Sequence, residues 1–248
     1  MKFNSLMQNK KLIIEYDGTD FCGWQRQPNV RTVQADIEAA LEKILQHPIT
    51  LIGSGRTDVG VHALGQVAHV KIEREIKSQE LLRSLNGVLP LDIRIRAVET
   101  VADDFHARFC AKSRFYWYRI AKFQLAVERQ YVWFYGSALD VEKMNEAASL
   151  FIGTHDFRSF SKLNKELDNF DCTVSEAEWI ETENELWFNI TANRFLHKMV
   201  RTMVGTLVDV GRDKLPVTEI TKILMEKNRE EAGITAPSHG LFLLKVEY

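Results

Sequence analysis

Apolar residues follow two spacings along the chain. Lys11–Tyr16 (KLIIEY), Gln66–Glu73, Ile93–Ala97, Arg114–Ile120, Thr173–Ile180, Leu186–Ala192 and Leu241–Val246 carry them in short runs or at every second position, the pattern of strands. Between Thr32 and Gln46, by contrast, Val33, Ile37, Leu41 and Ile44/Leu45 recur at helical spacing, with Pro48 beyond the end. Ser78 is placed to cap a helix with Leu81, Leu82 and Leu85 on one face, and Asp140 to cap one carrying Val141, Met144, Ala148 and Phe151. Two more helices are predicted at about Arg194–Val210 and Pro216–Lys227. A short strand at Ile49–Ile52 leads into the glycine-rich stretch Gly53–His62, which reads as a loop between strands. The first half therefore runs β-α-β-β-α-β. Few segments alternate as parallel sheets require, so the pattern predicts an α+β fold with a largely antiparallel sheet. There is no sequence repeat and no Pro/Gly/Ser linker. Two similar α+β halves, 1–104 and 105–248, satisfy both facts, with the seam inside Val98–Phe109.

Composition narrows the class. With 248 residues, 45% hydrophobic and 27% charged, the chain is a globular protein with a real core. Its formal charge of −2 advertises no polyanion partner, so nucleic acid would require local segregation of charge. Such segregation exists. From Phe105 to Lys122 there are five cations, Arg108, Lys112, Arg114, Arg119 and Lys122, no acidic side chain, and six aromatic rings between them. Cations for phosphates beside rings that stack on bases are what RNA binding requires. An acidic tract balances them: Glu166, Asp168, Asp171, Glu176, Glu178, Glu181, Glu183 and Glu185. Phe115 and Trp117 are expected to alternate into the core rather than to meet RNA. Cys22, Cys110 and Cys172 are isolated, so neither a disulfide framework nor a zinc site is expected, and a reducing cytoplasm fits. The start lacks a signal-peptide core and the longest apolar stretch contains Lys198 and Arg201, so neither export nor a membrane span is expected. Asn189-Ile190-Thr191 lies in a strand-like run and reads as a chance glycosylation sequon.

The glycine-rich loop excludes several chemistries. Gly55 and Gly60 have P-loop spacing, but Val61-His62 stand where Lys and Ser/Thr must reach phosphates and Mg²⁺. The dinucleotide-binding glycine pattern and the G-x-S-x-G elbow also fail. His62 and His69 have no third partner, which speaks against a metal site. What remains is Asp58, two residues after Arg56: either a turn aspartate paired with that arginine, or a carboxylate kept ionised as nucleophile or base. A glycosidase would need a second carboxylate, and no spacing rule ties Asp17 or Asp156 to Asp58.

Many motifs occur here in one order: Tyr16-Asp17-Gly18-Thr19, Gly23-Trp24-Gln25-Arg26-Gln27, Arg31-Thr32-Val33-Gln34, Gly55-Arg56-Thr57-Asp58 with Gly60-Val61-His62-Ala63, Asp104-Phe105-His106-Ala107-Arg108-Phe109, Arg114-x-Tyr116-x-Tyr118, Gly153-x-His155-Asp156-Phe157, Ala192-Asn193-x-Phe195-Leu196, Met199-Val200-Arg201 and Ala236-Pro237-x-x-Gly240-Leu241. Together they resemble the tRNA pseudouridine synthase A family over nearly the whole chain. The resemblance implies the pseudouridine synthase fold, an antiparallel sheet from two similar halves with a central cleft. It also implies isomerisation of uridine at positions 38, 39 and 40 of the tRNA anticodon stem-loop, by a homodimer with no metal or organic cofactor. Asp58 would be the catalytic carboxylate, adding to C6 of uracil or to C1′, or removing a C2′ proton. Arg56 would fill the space left by the flipped uridine, and Tyr116 would stack on the uracil. Arg201 would pair with Asp58, and Leu241 would form an apolar wall for the base. Ser54 and Val59 depart from the family's usual alanines, and Phe170–Val174 departs from its pattern. The competing reading is a catalytically inactive tRNA-binding protein of the same fold.

Overall fold

The computed structural model describes residues 7–162 and 168–248. They form two compact units: the chain up to Lys112 together with Leu243–Tyr248, and Ser113–Phe242. The first unit thus runs past residue 104 and takes back the last residues of the chain.

The first unit runs β1 (Gln8–Tyr16), α1 (Val33–Leu45), β2 (Ile52–Gly53), β3 (His62–Ile72), α2 (Ser78–Val88) and β4 (Ile93–Val101). β1 lies between β3 and β4 and pairs antiparallel with both, and β2 adds a short antiparallel pairing to β3. Alternate residues of β1, Leu12, Ile14 and Tyr16, are buried, as are Val33, Ile37 and Leu41 of α1 and Leu81 and Leu85 of α2. Burying each such aliphatic side chain contributes roughly 1.5–3 kcal/mol, which is why the helical stripe and the strand alternation read from the sequence coincide with the core. α1 ends where Gln46 turns left-handed, φ 64°, and its N–H donates to Glu42 O.

The second unit runs β5 (Ser113–Ala121), β6 (Trp133–Phe134), α3 (Val141–Ser149), β7 (Gly153–Asp156), β8 (Asp171–Glu181), β9 (Glu185–Ala192), α4 (Met199–Gly211), α5 (Glu219–Glu226) and the start of β10 (Leu241–Glu247). Its sheet is ordered β5-β9-β8-β7, antiparallel throughout, with β6 parallel to β5. From Leu243 onward β10 belongs to the first unit, beside β3.

Several local expectations change. Asp140 caps α3 as expected, accepting from Lys143 N at 3.0 Å, but Ser78 is the first residue of α2 and makes no capping bond. α4 starts at Met199 rather than Arg194, because Lys198 takes a left-handed conformation, φ 64°. β3 begins at His62, so the glycine-rich loop is shorter than expected. β6 and β7 were not expected; at two and four residues they are too short to show a period. On β5 the alternation runs opposite to expectation. Tyr118 and Ile120 are fully buried, whereas Phe115 and Trp117 are half-buried, Trp117 lying edge-on to Trp187 at 4.8 Å. Glu166 of the acidic tract lies outside the described residues.

Candidate active site

Asp58 sits in the loop between β2 and β3, and the motifs far from it in sequence converge on that loop. The Trp24 N–H donates to Thr57 O at 3.1 Å, and the Gly60 N–H to Phe21 O at 3.3 Å. Gly23 has φ +84°, and a Cβ there would come within 2.6 Å of Thr57 O and 3.2 Å of the Asp58 carbonyl carbon. Only glycine fits this approach. The segment 21–24 is held in turn from the next motif: Cys22 N–H donates to Arg31 O at 2.8 Å, and Gln34 N–H to Trp24 O at 3.0 Å. Arg31 stacks over Phe21 at 4.1 Å and forks onto Asp92 at 2.7 and 2.9 Å.

Beneath the loop, the Tyr16 hydroxyl meets Thr57 Oγ1 at 2.7 Å, and burial pushes its pKa up, so it stays protonated. Ser54, one of the departures from the family pattern, is buried and donates to Gln66 Oε1 at 2.7 Å, while Gln66 Nε2 donates to Gly55 O at 3.1 Å. Val61 N–H closes the turn onto Asp58 O at 3.2 Å. The Asp58 side chain is half-buried on this fixed backbone. Arg56 is exposed, and its Nε donates to Gln25 Oε1 at 3.0 Å. The Arg56 Nε is thus turned to Gln25.

The histidines and other carboxylates near the motifs have structural roles. His62 Nδ1 accepts the Gly18 N–H at 3.0 Å. That amide can only donate, so Nδ1 carries its lone pair and Asp17 Oδ1, 3.1 Å away, is not an ion-pair partner. Asp17 accepts from Thr19 N and Oγ1 in a local turn. Asp156 is held by Lys227 at 3.1 Å and Arg158 at 3.5 Å. His69 Nδ1 accepts the Ala107 N–H at 3.1 Å, and burial, reinforced by His106, lowers its pKa to about 4. Among the described residues no three His, Cys, Asp or Glu side chains are grouped to hold a metal ion.

In the second unit, Tyr116 is half-buried on β5, edge-on to Phe195 at 5.1 Å. Every residue of α4 is buried except Arg201. That side chain is half-buried, so it is no solvent-facing helical charge: its Nε donates to Ala236 O at 2.7 Å, and Ala236 N–H returns a bond to Arg201 O at 3.0 Å. Residues 232–236 lie hard against α4, since a Cβ on Gly205 would meet Ile234 O at 1.9 Å. Tyr118 anchors the far end of the same segment, its hydroxyl donating to Pro237 O at 2.8 Å. Leu241 follows, buried at the start of β10. Sequence reasoning missed Tyr118 as a tie; its signal was the second tyrosine of Arg-x-Tyr-x-Tyr.

The basic strand is less basic than it reads. Arg119 forks onto Glu185 at 2.8 and 2.6 Å and reaches Glu128 at 3.0 Å, and Lys122 pairs with Glu181 at 2.8 Å. The acidic tract thus neutralises two of the five cations directly.

The sequence matches a family of proteins described as tRNA pseudouridine synthase over residues 12–110 and 147–248. It is 43% identical to proteins named tRNA pseudouridine synthase A from Exiguobacterium sp. (242 residues; 98% of each chain) and Thermoanaerobacter sp. (244 residues; 98% of this chain and 100% of that one). A Bacteroides thetaiotaomicron protein of the same name is 43% identical over 98% of this chain and 91% of its own. A crystal structure of an archaeal box H/ACA sRNP Nop10-Cbf5 complex aligns with 80% of this chain and 44% of its own at TM-score 0.36 and 12% identity, too distant to bear on the fold.

Proposed function

From the premise that the chain belongs to the tRNA pseudouridine synthase family, we propose that it isomerises uridine to pseudouridine at positions 38, 39 and 40 of the tRNA anticodon stem-loop, with Asp58 as the catalytic carboxylate. The reaction breaks the N1–C1′ bond and forms C5–C1′; C5 loses its proton and N1 gains one. It is redox-neutral, and a positioned carboxylate supplies its covalent or proton-transfer step, by addition to C6 or C1′ or by removal of a C2′ proton.

The observation that supports Asp58 is the clamped loop. Gly23, Trp24 and Phe21 fix the backbone on both sides of it, and a fixed backbone removes the reorganisation that a mobile nucleophile would need. Arg56, exposed on the same loop, is suited to fill the gap that a flipped nucleotide leaves. Tyr116 is proposed to stack on the extruded uracil, Leu241 to give the base an apolar wall, and Arg201 to serve as counter-charge to the reacting carboxylate. The half 1–104 would carry the catalytic loop and 105–248 would complete the RNA-binding cleft. A homodimer acting in the cytoplasm completes the reading. No helix among the described residues is long and apolar enough to cross a membrane, and light scattering of the purified protein tests the dimer.

Tritium release from unmodified tRNA labelled at C5 of uridine tests the reaction, with wild type and Asp58→Ala side by side and no metal or cofactor added. Wild type should release tritium and the variant should fall by more than about 10⁴-fold while still binding tRNA. Release by the variant would remove Asp58 from the mechanism. Binding without release by either protein would establish the inactive RNA-binding reading instead.

A further inference from the structure

The second unit contains a recess of about 470 Å³ lined by Lys162, Lys198, Arg229 and Thr235. Among the described residues no carboxylate lines it, in a protein whose formal charge is −2. Neither lysine pairs with a carboxylate among the described residues. The Lys162 N–H donates to His197 O at 3.0 Å, so the backbones bearing the two lysines are stitched together. Arg229 is fixed by Ala232 O and Gly233 O at 3.2 and 3.1 Å and by Thr235 Oγ1 at 3.0 Å. Its partners among the described residues are neutral, and burial lowers its pKa.

Lys198 immediately precedes α4 and holds φ 64°, a conformation that glycine or asparagine adopts more easily. It stands three residues before Arg201, and Thr235 directly precedes Ala236, which exchanges two hydrogen bonds with Arg201. The recess therefore adjoins Arg201, proposed above as the counter-charge to the reacting carboxylate.

We propose that Lys198 and Lys162, with Arg229 as a fixed floor, bind a backbone phosphate of the tRNA beside the target nucleotide. The inference rests on the tRNA-directed reading above. Two ammonium groups and a guanidinium around an open recess suit a phosphodiester, and a lining with no base-sized aromatic among the described residues suits contact that ignores sequence.

The test uses binding of an unmodified tRNA transcript to the full chain between 50 and 200 mM salt, for wild type, Lys198→Gly, Lys162→Ala, the double variant and Lys222→Ala. Lys198→Gly suits the left-handed backbone, so its Tm should not fall. Each phosphate contact contributes about 0.9 to the salt slope, or roughly a threefold change in affinity over this range. The double variant should therefore lose about 0.9 from the slope and about threefold from the salt sensitivity, while Lys222→Ala, paired with Glu219 on α5, should keep the wild-type slope. Steep wild-type binding with unchanged slopes in the Lys198 and Lys162 variants would overturn the phosphate site and leave the tRNA reading standing. An equal loss in Lys222→Ala would reduce the effect to bulk charge and likewise overturn it. Wild type that fails to bind tRNA at all would overturn both.

Discussion

The loop around Asp58 and the segment around Arg201 are built by different means. In the first unit the motif residues act through backbone: Gly23 approaches Thr57 and Asp58 closer than any side chain would allow, and the Trp24 and Gly60 amides close the clamp. In the second unit side chains are added to a close backbone approach at Gly205, with the Arg201 guanidinium and the Tyr118 hydroxyl tying the carbonyls of Ala236 and Pro237. A backbone clamp tolerates almost no added atom. A side-chain tie can be removed one hydrogen bond at a time. Mutations should therefore be abrupt at the Gly23 clamp and graded at the Arg201 and Tyr118 ties.

After the loss of turnover expected for Asp58→Ala, the largest effect should come from Gly23→Ala. Its Cβ would meet backbone on the Thr57–Val59 side at 2.6–3.3 Å, in a conformation already at φ +84°. Either the clamp opens or the loop shifts, at a cost of about 2–4 kcal/mol, and turnover should fall with it because Asp58 rides on the displaced backbone. Gly55→Ala, in the loop's own Gly-Arg-Thr-Asp motif, is the counter-case. Nothing lies within 4 Å of a Cβ there and φ is not positive, so its unfolding free energy should stay within about 0.5 kcal/mol of wild type. Denaturant unfolding of the pair measures both, and equal losses would break the contrast.

The contrast also explains which parts were legible in the sequence. The α1 stripe, the strand alternation and the glycine-rich loop are local patterns, and the core follows them. The Gly23 clamp joins residues more than thirty positions apart in sequence, so motif order points to it but no periodicity can. Asp58 is legible as a carboxylate in a permissive loop, whereas the bond from Arg56 to Gln25, 31 residues away, is not. The pairing within the basic strand is hidden for the same reason: Glu185, 66 residues away, neutralises Arg119. Likewise the start of α4 depends on one left-handed residue, Lys198, which an apolar pattern does not register.

A smaller effect should appear on acidification. His69 accepts the Ala107 amide with Nδ1, and burial holds its folded pKa at about 4 against an ordinary 6.5. Below pH 6.5 the unfolded chain takes up a proton that the folded one refuses until about pH 4. Stability should therefore fall as the pH drops through that window, by something of order 2 kcal/mol, and should be unaffected above it. His69→Asn retains an acceptor for the amide and removes the titration. Urea midpoints at pH 7.5 and pH 5 should separate more for wild type than for the variant; identical acid losses would remove His69 as the cause and leave the first unit's fixed backbone without a pH handle.

Tyr118→Phe should be the mildest of the changes that remove a contact, and it tests the graded half of the contrast. The ring is fully buried against Gly240, where a Cβ would come within 2.8 Å of the tyrosine Cζ, so the phenyl keeps all of that packing. Only the bond to Pro237 O is lost, worth about 1 kcal/mol, or roughly 2–4 °C in Tm for a chain of this size. Arg201 still holds Ala236 one residue earlier. Turnover should therefore fall by less than about tenfold, because one of two adjacent ties persists. Arg201→Lys in the Tyr118→Phe background removes the second tie, and the two losses should exceed the sum of the single ones, since the anchors share one short segment. Additive losses would mean that each bond acts alone and that residues 236–240 are held by their packing against α4 and β5 rather than by their carbonyls.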